Sequence, residues 1–259
     1  MTTISQDSPD YVASFARGIA VIRAFGRQKS RLTLSEVAAS TSLSRAAARR
    51  FLLTLCALGY ARCDGKYFEL TPRLLEIGYA YLASLDFWEL IQPALEEVTR
   101  RLDESSSAAV LDGDEIVYVA RSASRQRIIS IGLSVGSRLP AHATSMGEAL
   151  LASLAPDELD RYFQAARLEQ LTVKTRVTRA EIEARLAEVR RQGYALADQE
   201  LEEGLRAVSV PLRDRAGRTV AAINVSAHAA RVPARTLIQE YLPVLKDAAA
   251  AIETLLRTR

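Results

Sequence analysis

The chain has 259 residues, 49% of them hydrophobic and 25% charged, with a formal net charge of +3. That composition suits one large or two ordinary packed domains and excludes a disordered or low-complexity chain; no apolar run reaches the roughly 20 residues of a membrane span. The modest total conceals an asymmetry. Residues 1–75 carry eleven Lys and Arg against five Asp and Glu, a local +6, and the remainder carries 23 against 26, a local −3. A basic module joined to a mildly acidic one points to nucleic acid as the partner of the first half. The two cysteines, Cys56 and Cys63, have no histidine nearby, so no zinc site is expected, and the thiols suit a reduced, cytoplasmic protein.

Residues 1–10, MTTISQDSPD, lack a basic and apolar signal region and read as a disordered lead. Ser14 to Phe25 follows as an amphipathic helix with Phe15, Ile19, Ile22 and Phe25 on one face. The stretch Leu32 to Arg50, LTLSEVAASTSLSRAAARR, reads as two short helices joined by a tight turn. Thr33 and Glu36 have capping-box spacing. Val37 and Ala38 face inward, Leu43 plugs the turn, and Ala48, Phe51, Leu52 and Leu55 continue the buried stripe. Ser42 occupies a turn position that demands a left-handed backbone, which costs a non-glycine residue on the order of 1 kcal/mol. The stripe turns Arg45, Ala46, Arg49 and Arg50 to solvent behind Ser44, the face a recognition helix offers to the major groove. Tyr60 to Leu70 contains Asp64-Gly65, a two-residue hairpin signal with both turn positions at positive φ. Arg62 and Lys66 on this hairpin are within reach of phosphates. Three helices and a hairpin make a winged helix-turn-helix over residues 11–71, with double-stranded DNA as its partner.

Thr71-Pro72 opens a linker helix, Thr as cap and Pro in the first turn, over residues 72–86. Its apolar stripe of Leu74, Leu75, Gly78, Tyr81, Leu82 and Leu85 suits either docking onto the chain's own domains or a contact between two copies of the chain, a homodimer or a dimer of dimers. A second domain, 87–259, starts with a helix from Phe87 to Leu102. Strands are expected over Ser107–Leu111, Glu115–Ala120, Arg127–Leu133, Ala207–Arg213 and Thr219–Ala227, with Gly136–Thr144 as a loop. Helices are expected from Ser145 (with Glu148 completing a capping box), from Pro156, from Thr178 to Gln192, and from about Ala234 to Arg257. An antiparallel sheet with flanking helices is an α+β domain.

Nothing in this domain makes an enzyme. The two histidines, His142 and His228, are far apart, and there is no nucleophile elbow, phosphate loop or zinc-protease motif. The acidic run Asp198 to Glu203 reads as a solvated stretch with one or two residues turned inward, and no metal or cofactor is expected. A ligand pocket is better supported. The helix start at Ser145 offers free backbone N–H groups to a carboxylate. Asn224 and Ser226 alternate on one strand and so share a face, two polar groups within the apolar run VAAINVS. Arg206 could pair with the acidic run or with a ligand acid, and His142 with a loop or a ligand.

With both halves read, the chain resembles the IclR family of bacterial transcription regulators from Tyr11 onward. The resemblance rests on SFARGIAVIRAF, LSEVAASTSLSRAAARRFLLTL, PAHATSMGEALLA and GYALADQELEEGLRAVSVPLRDRAGRTVAAINVS. With LDGDEIVYVAR and SVGSRLPAHATSMG added, it looks like the branch that regulates aromatic-acid degradation through the β-ketoadipate pathway, the PcaU/PcaR/PobR type. That resemblance implies a winged helix-turn-helix, a linker helix and a GAF-like effector domain. It implies an effector cavity near Ser145 and Met146, with Leu205, Ala207, Asn224 and Ser226 contributing; Asp198, Arg206 and His142 are further candidate effector-binding residues. It also implies a small carboxylate effector, such as protocatechuate, 4-hydroxybenzoate or β-ketoadipate. The family often has Cys or Ser where this chain has Ala207, and Ser where it has Asn224, which bears on the identity of the effector. The alternative is a regulator of the same family that senses another small organic acid or a sugar derivative.

Overall fold

The computed structural model describes residues 5, 7–26, 29–85, 87–124 and 132–258. The chain divides into two compact units, Met1–Leu82 and Ala83–Arg259. The first contains helices α1 (Ala13–Arg23), α2 (Leu34–Thr41) and α3 (Arg45–Ala57) and strands β1 (Arg31–Thr33), β2 (Ala61–Cys63) and β3 (Tyr67–Leu70). Thr33 and Glu36 close the capping box of α2, as their spacing predicts. Ser42 ends that helix with φ 55°, the left-handed turn between α2 and α3. The core joins Val21, Leu32, Val37, Ala38, Ala48, Leu52, Leu55, Ala61 and Phe68.

Three details depart from the sequence reading. The buried residue of α1 is Val21, whereas Phe15 and Ile19 lie exposed; the helix buries a narrower face than its apolar content suggests. The wing sheet has a third strand, β1, which pairs Leu32 with Phe68 in the order β1-β3-β2. The hairpin turn lies one residue later than expected. Cys63 pairs with Phe68, so Gly65 and Lys66 are the central residues, and of these only Gly65 has positive φ, at 99°. That is the pattern of a II′ turn, with Gly at its first central position. Asp64 instead supports the turn from outside, its carboxylate accepting from the N–H groups of Lys66 and Tyr67.

A 3-10 turn, Pro72–Leu74, leads into α4 (Leu75–Ala83). The Thr71 hydroxyl donates to the Gly59 carbonyl instead of capping this helix. Helix α4 buries no residue: Leu75, Ile77, Tyr79 and Tyr81 all lie exposed.

The second unit is built on a six-stranded antiparallel sheet in the order β6-β5-β4-β9-β8-β7. Its strands are β4 (Ser105–Asp112), β5 (Glu115–Ser122), β6 (Arg138–Pro140), β7 (Ala195–Asp198), β8 (Leu205–Arg213) and β9 (Thr219–His228). Helix α5 (Trp88–Leu102) packs on one face of it with the C-terminal helix α10 (Leu242–Thr258), which a short α9 (Ala234–Thr236) and a π-helical turn (Leu237–Tyr241) precede. The other face carries α6 (Ser145–Leu151), α7 (Pro156–Ala165) and α8 (Arg179–Gln192) over a core that includes Ile116, Met146, Leu151, Leu186 and Ala222. Both faces being covered explains why the middle of β9 reads as a near-continuous apolar run. The expected strand Arg127–Leu133 falls largely outside the described residues, as does part of the 1–10 lead. The segment Gly136–Thr144 is not a plain loop, since it contains β6 and the 3-10 turn Ala141–Ala143. Edge strand β7 was missed because ALAD is short and runs straight into the acidic stretch. Among the described residues no helix is long and apolar enough to cross a membrane.

Candidate DNA-binding face and effector cleft

Helix α3 starts at Ser44, whose hydroxyl accepts from the Ala47 N–H at 3.2 Å. Arg45, Ala46, Arg49 and Arg50 then face solvent while Ala48, Leu52 and Leu55 anchor the opposite side. Among the described residues none of these three arginines forms an ion pair, so their charge is available to a polyanion. The wing is different. Arg62 pairs with Glu69, and Arg31 pairs with Asp64 and lies over the Tyr67 ring. Lys66, at the turn, rests 5.2 Å from the same ring. Arg31 went unremarked in the sequence because its proximity to the wing depends on β1.

In the second unit the α6 end of the sheet opens a cleft of about 380 Å³, counted to its solvent mouth. Six expected residues meet there: Ser145, Met146, Leu205, Ala207, Asn224 and Ser226. Three do not. Arg206 and Asp198 lie on the opposite side of the sheet from the cleft, because side chains alternate along a strand and Leu205, Ala207 and Ala197 take the cleft side. They bind each other at 2.6 Å, and Arg206 also donates to the Val232 carbonyl. His142 is buried in the 3-10 turn, its Nε2 bonded to the Glu169 carbonyl at 3.0 Å. The cleft gains Tyr118, Thr144, Glu200 and Leu201, which sequence reasoning missed. Thr144 carried a legible signal, as a Thr one residue before a helix start.

That Thr corrects the cap. Thr144, not Ser145, is the N-cap of α6, accepting from the Gly147 N–H at 3.1 Å. The Ser145 hydroxyl is left buried with no partner, as is the Asn224 side-chain oxygen, and both belong to the cleft wall. Among the described residues no acceptor meets the Ser145 and Met146 amides either. Buried polar atoms without partners cost about 1–3 kcal/mol each, so a cleft with several of them is built for a polar occupant. Gly147 is required for a steric reason: a Cβ there would lie 2.0 Å from the Ala141 carbonyl oxygen.

Glu148 does not join a capping box. Its carboxylate turns inward, almost fully buried, to Arg185 at 3.0 Å and Arg176 at 3.4 Å. Arg176 also binds Glu200 of the cleft wall. Burial pushes the Glu148 carboxyl up to about 7, opposed by Arg185. The acidic stretch therefore contributes one residue, Glu200, to a largely buried charge network that also holds Glu148, Arg185 and Arg176.

Comparison with known proteins agrees with this architecture. Residues 14–65 match the IclR helix-turn-helix domain and residues 79–254 the bacterial transcriptional regulator IclR C-terminal domain. The Pca regulon regulatory protein of Pseudomonas putida is 45% identical over 92% of this chain and 81% of its own. The p-hydroxybenzoate hydroxylase transcriptional activator of Acinetobacter baylyi is 38% identical over 95% of this chain and 92% of its own. The crystal structure of an IclR homolog from Microbacterium hydrocarbonoxydans, complexed with 4-hydroxybenzoate, superposes with a TM-score of 0.84 at 25% identity, covering 95% of this chain and all of the other. A basic helix-turn-helix followed by a helix-flanked sheet with a cleft at one end, matched by both family domains, makes this chain a member of the IclR family of bacterial transcriptional regulators.

Proposed function

We propose that this regulator controls an operon for aromatic-acid catabolism of the protocatechuate and 4-hydroxybenzoate, β-ketoadipate-pathway kind, and answers to a small aromatic carboxylate. The observation that carries this reading is the 45% identity, over most of both chains, to a Pca regulon regulator. The orphaned Ser145 hydroxyl and Asn224 oxygen in the cleft support a polar effector. The effector carboxylate docks on the Ser145 hydroxyl and the Ser145 and Met146 amides. Asn224 and Ser226 take ring substituents, and Met146, Leu205 and Ala207 cover the ring. His142, Asp198 and Arg206 stay outside the contact set. On the DNA side, Arg45, Ala46, Arg49 and Arg50 enter the major groove behind Ser44, and Arg62 and Lys66 meet phosphates. Two copies associate through the exposed apolar α4, which places paired half-sites about one helical turn apart.

A thermal-shift panel of protocatechuate, 4-hydroxybenzoate, β-ketoadipate, glyoxylate and pyruvate tests the effector class. A ligand at about 100 times its Kd adds roughly 2.7 kcal/mol of stability, so the true class stands out, and a response to glyoxylate or pyruvate alone overturns the aromatic reading. Asn224→Ala and Ser226→Ala are each expected to loosen effector binding roughly 5- to 150-fold, the equivalent of about 1–3 kcal/mol per lost partner. Calorimetry that finds both affinities unchanged moves the site elsewhere.

A further inference from the structure

The cleft side of the sheet carries one more row of polar residues, read directly from the strand register. Arg121 on β5 lies opposite Ser107 on β4, Ser107 opposite Asn224 on β9, and Asn224 opposite Ser209 on β8. Directly opposed residues share a face of the sheet, so Arg121, Ser107, Asn224 and Ser209 form one line across it. The two ends of the line differ. At the β8 end, the Ser209 hydroxyl donates to the Ser145 carbonyl at 2.7 Å, which fixes the start of α6 and its unpartnered, buried Ser145 hydroxyl over that strand. At the β5 end, the Arg121 guanidinium folds inward over Ser107 and donates to its hydroxyl at 3.2 Å.

Arg121 is a half-buried cation, and among the described residues no carboxylate pairs with it. Burial presses its pKa down, and the one ionisable group acting against that is the phenol of Tyr118, itself in the cleft wall. This differs from Arg176, Arg185 and Arg206, each of which has a carboxylate within 4 Å. A partly buried guanidinium without a counter-ion is costly unless an anion completes it, and its planar fork matches a carboxylate. Three strand steps of about 4.8 Å separate the backbones of β5 and β8. The guanidinium reaches back over one of them, which leaves roughly 10 Å along the sheet between it and the Ser145 end, the span of a small para-substituted aromatic acid with its hydrogen bonds; Arg121 itself stands outside the cleft wall, on the same face.

We propose that Arg121 is a specificity-determining residue of the effector cleft, which holds the far end of an effector bearing a second acidic oxygen while Ser145 holds the first carboxylate. The proposal rests on the reading of the cleft as an acid-binding site. It predicts that the protein ranks acids by what they carry opposite the first carboxylate.

The test uses full-length protein and two rigid probes, benzoate and terephthalate, which differ only in the second carboxylate. By calorimetry the wild type is expected to bind terephthalate at least tenfold more tightly than benzoate, and Arg121→Gln to shrink that ratio at least tenfold. Arg121→Lys, which keeps the charge but not the fork, is expected to shrink it by a smaller factor. A ratio unmoved in Arg121→Gln, whether both affinities fall or neither does, makes the residue structural and overturns the proposal. Should the variants not fold, the wild-type ratio still decides: equal affinities overturn the role of Arg121 while leaving the acid site standing. Binding of neither probe, nor of any acid in the effector panel, overturns the acid-site reading itself and this proposal with it.

Discussion

The two units handle charge in opposite ways. In the DNA-binding unit Arg45, Arg49 and Arg50 are exposed on α3 and unpaired among the described residues, whereas beneath the effector cleft Arg185 and Arg176 are turned inward onto Glu148 and Glu200. Exposed charge does little for stability and much for the approach of a polyanion. Buried, paired charge does the reverse: it commits the fold to one arrangement, and breaking a pair is expensive. Arginines of the same chain are thus free surface charge in one half, among the described residues, and part of the frame in the other.

The sharpest way to break this comparison is to remove one arginine from each half. Arg185→Ala leaves the interior Glu148 with only the longer contact to Arg176 and is expected to cost about 3–5 kcal/mol of unfolding free energy near neutral pH. Arg49→Ala should stay within about 0.5 kcal/mol of wild type in the same urea titration. A similar cost for both would erase the distinction.

The buried half should also respond to pH. The folded-state pKa of Glu148 is raised from 4.5 to about 7 by burial. Between those values the folded chain holds a proton that the unfolded chain releases, so stability is greatest below about pH 4.5 on this account and falls as pH rises towards 7, by roughly 3 kcal/mol in all. Unfolding curves at pH 5 and pH 7.5 measure it, and Glu148→Gln should flatten the slope. The penalty for Arg185→Ala should shrink at pH 5 for the same reason.

For the exposed half the readout is DNA. Arg49→Ala is expected to weaken operator binding by about 1–3 kcal/mol if the guanidinium reads a base edge, and band-shift titrations with the cognate and a scrambled site check whether the loss is sequence-dependent. The smallest effect concerns the turn between α2 and α3. Ser42 stands at φ 55°, a conformation that glycine adopts without strain. Ser42→Gly should therefore stabilise the protein by up to about 1 kcal/mol in thermal unfolding.

The same contrast governs how much of the molecule was legible in its sequence. The helix-turn-helix could be read residue by residue because its determinants are local: the Thr33–Glu36 box, the stripe from Ala48 to Leu55, and the left-handed Ser42 all act within one or two helical turns. Strands β4, β5, β8 and β9 of the effector domain were legible for the same reason, through alternation and turn residues, whereas the short edge strands β6 and β7 were not. The cleft was only half legible. Ser145, Met146, Leu205, Ala207, Asn224 and Ser226 meet there, but strict alternation already forbade Arg206 from sharing the side of Leu205 and Ala207. What no local pattern could reveal was the pairing of Glu148 with Arg185 and of Glu200 with Arg176, contacts that span 37 and 24 positions. Glu148 has the spacing of a cap partner, and only the tertiary structure shows it turned instead onto Arg185.

The close contact at Gly147 has a mechanical consequence. With no side chain to spare there, α6 lies directly on the Ala141 backbone, so the helix and the turn before it behave as one stiff lever. Ser145 faces the cleft and Glu148 grips Arg185 of α8, less than one helical turn apart on that lever. The cleft wall and the ion pair to α8 are thus joined across three residue steps of one short helix.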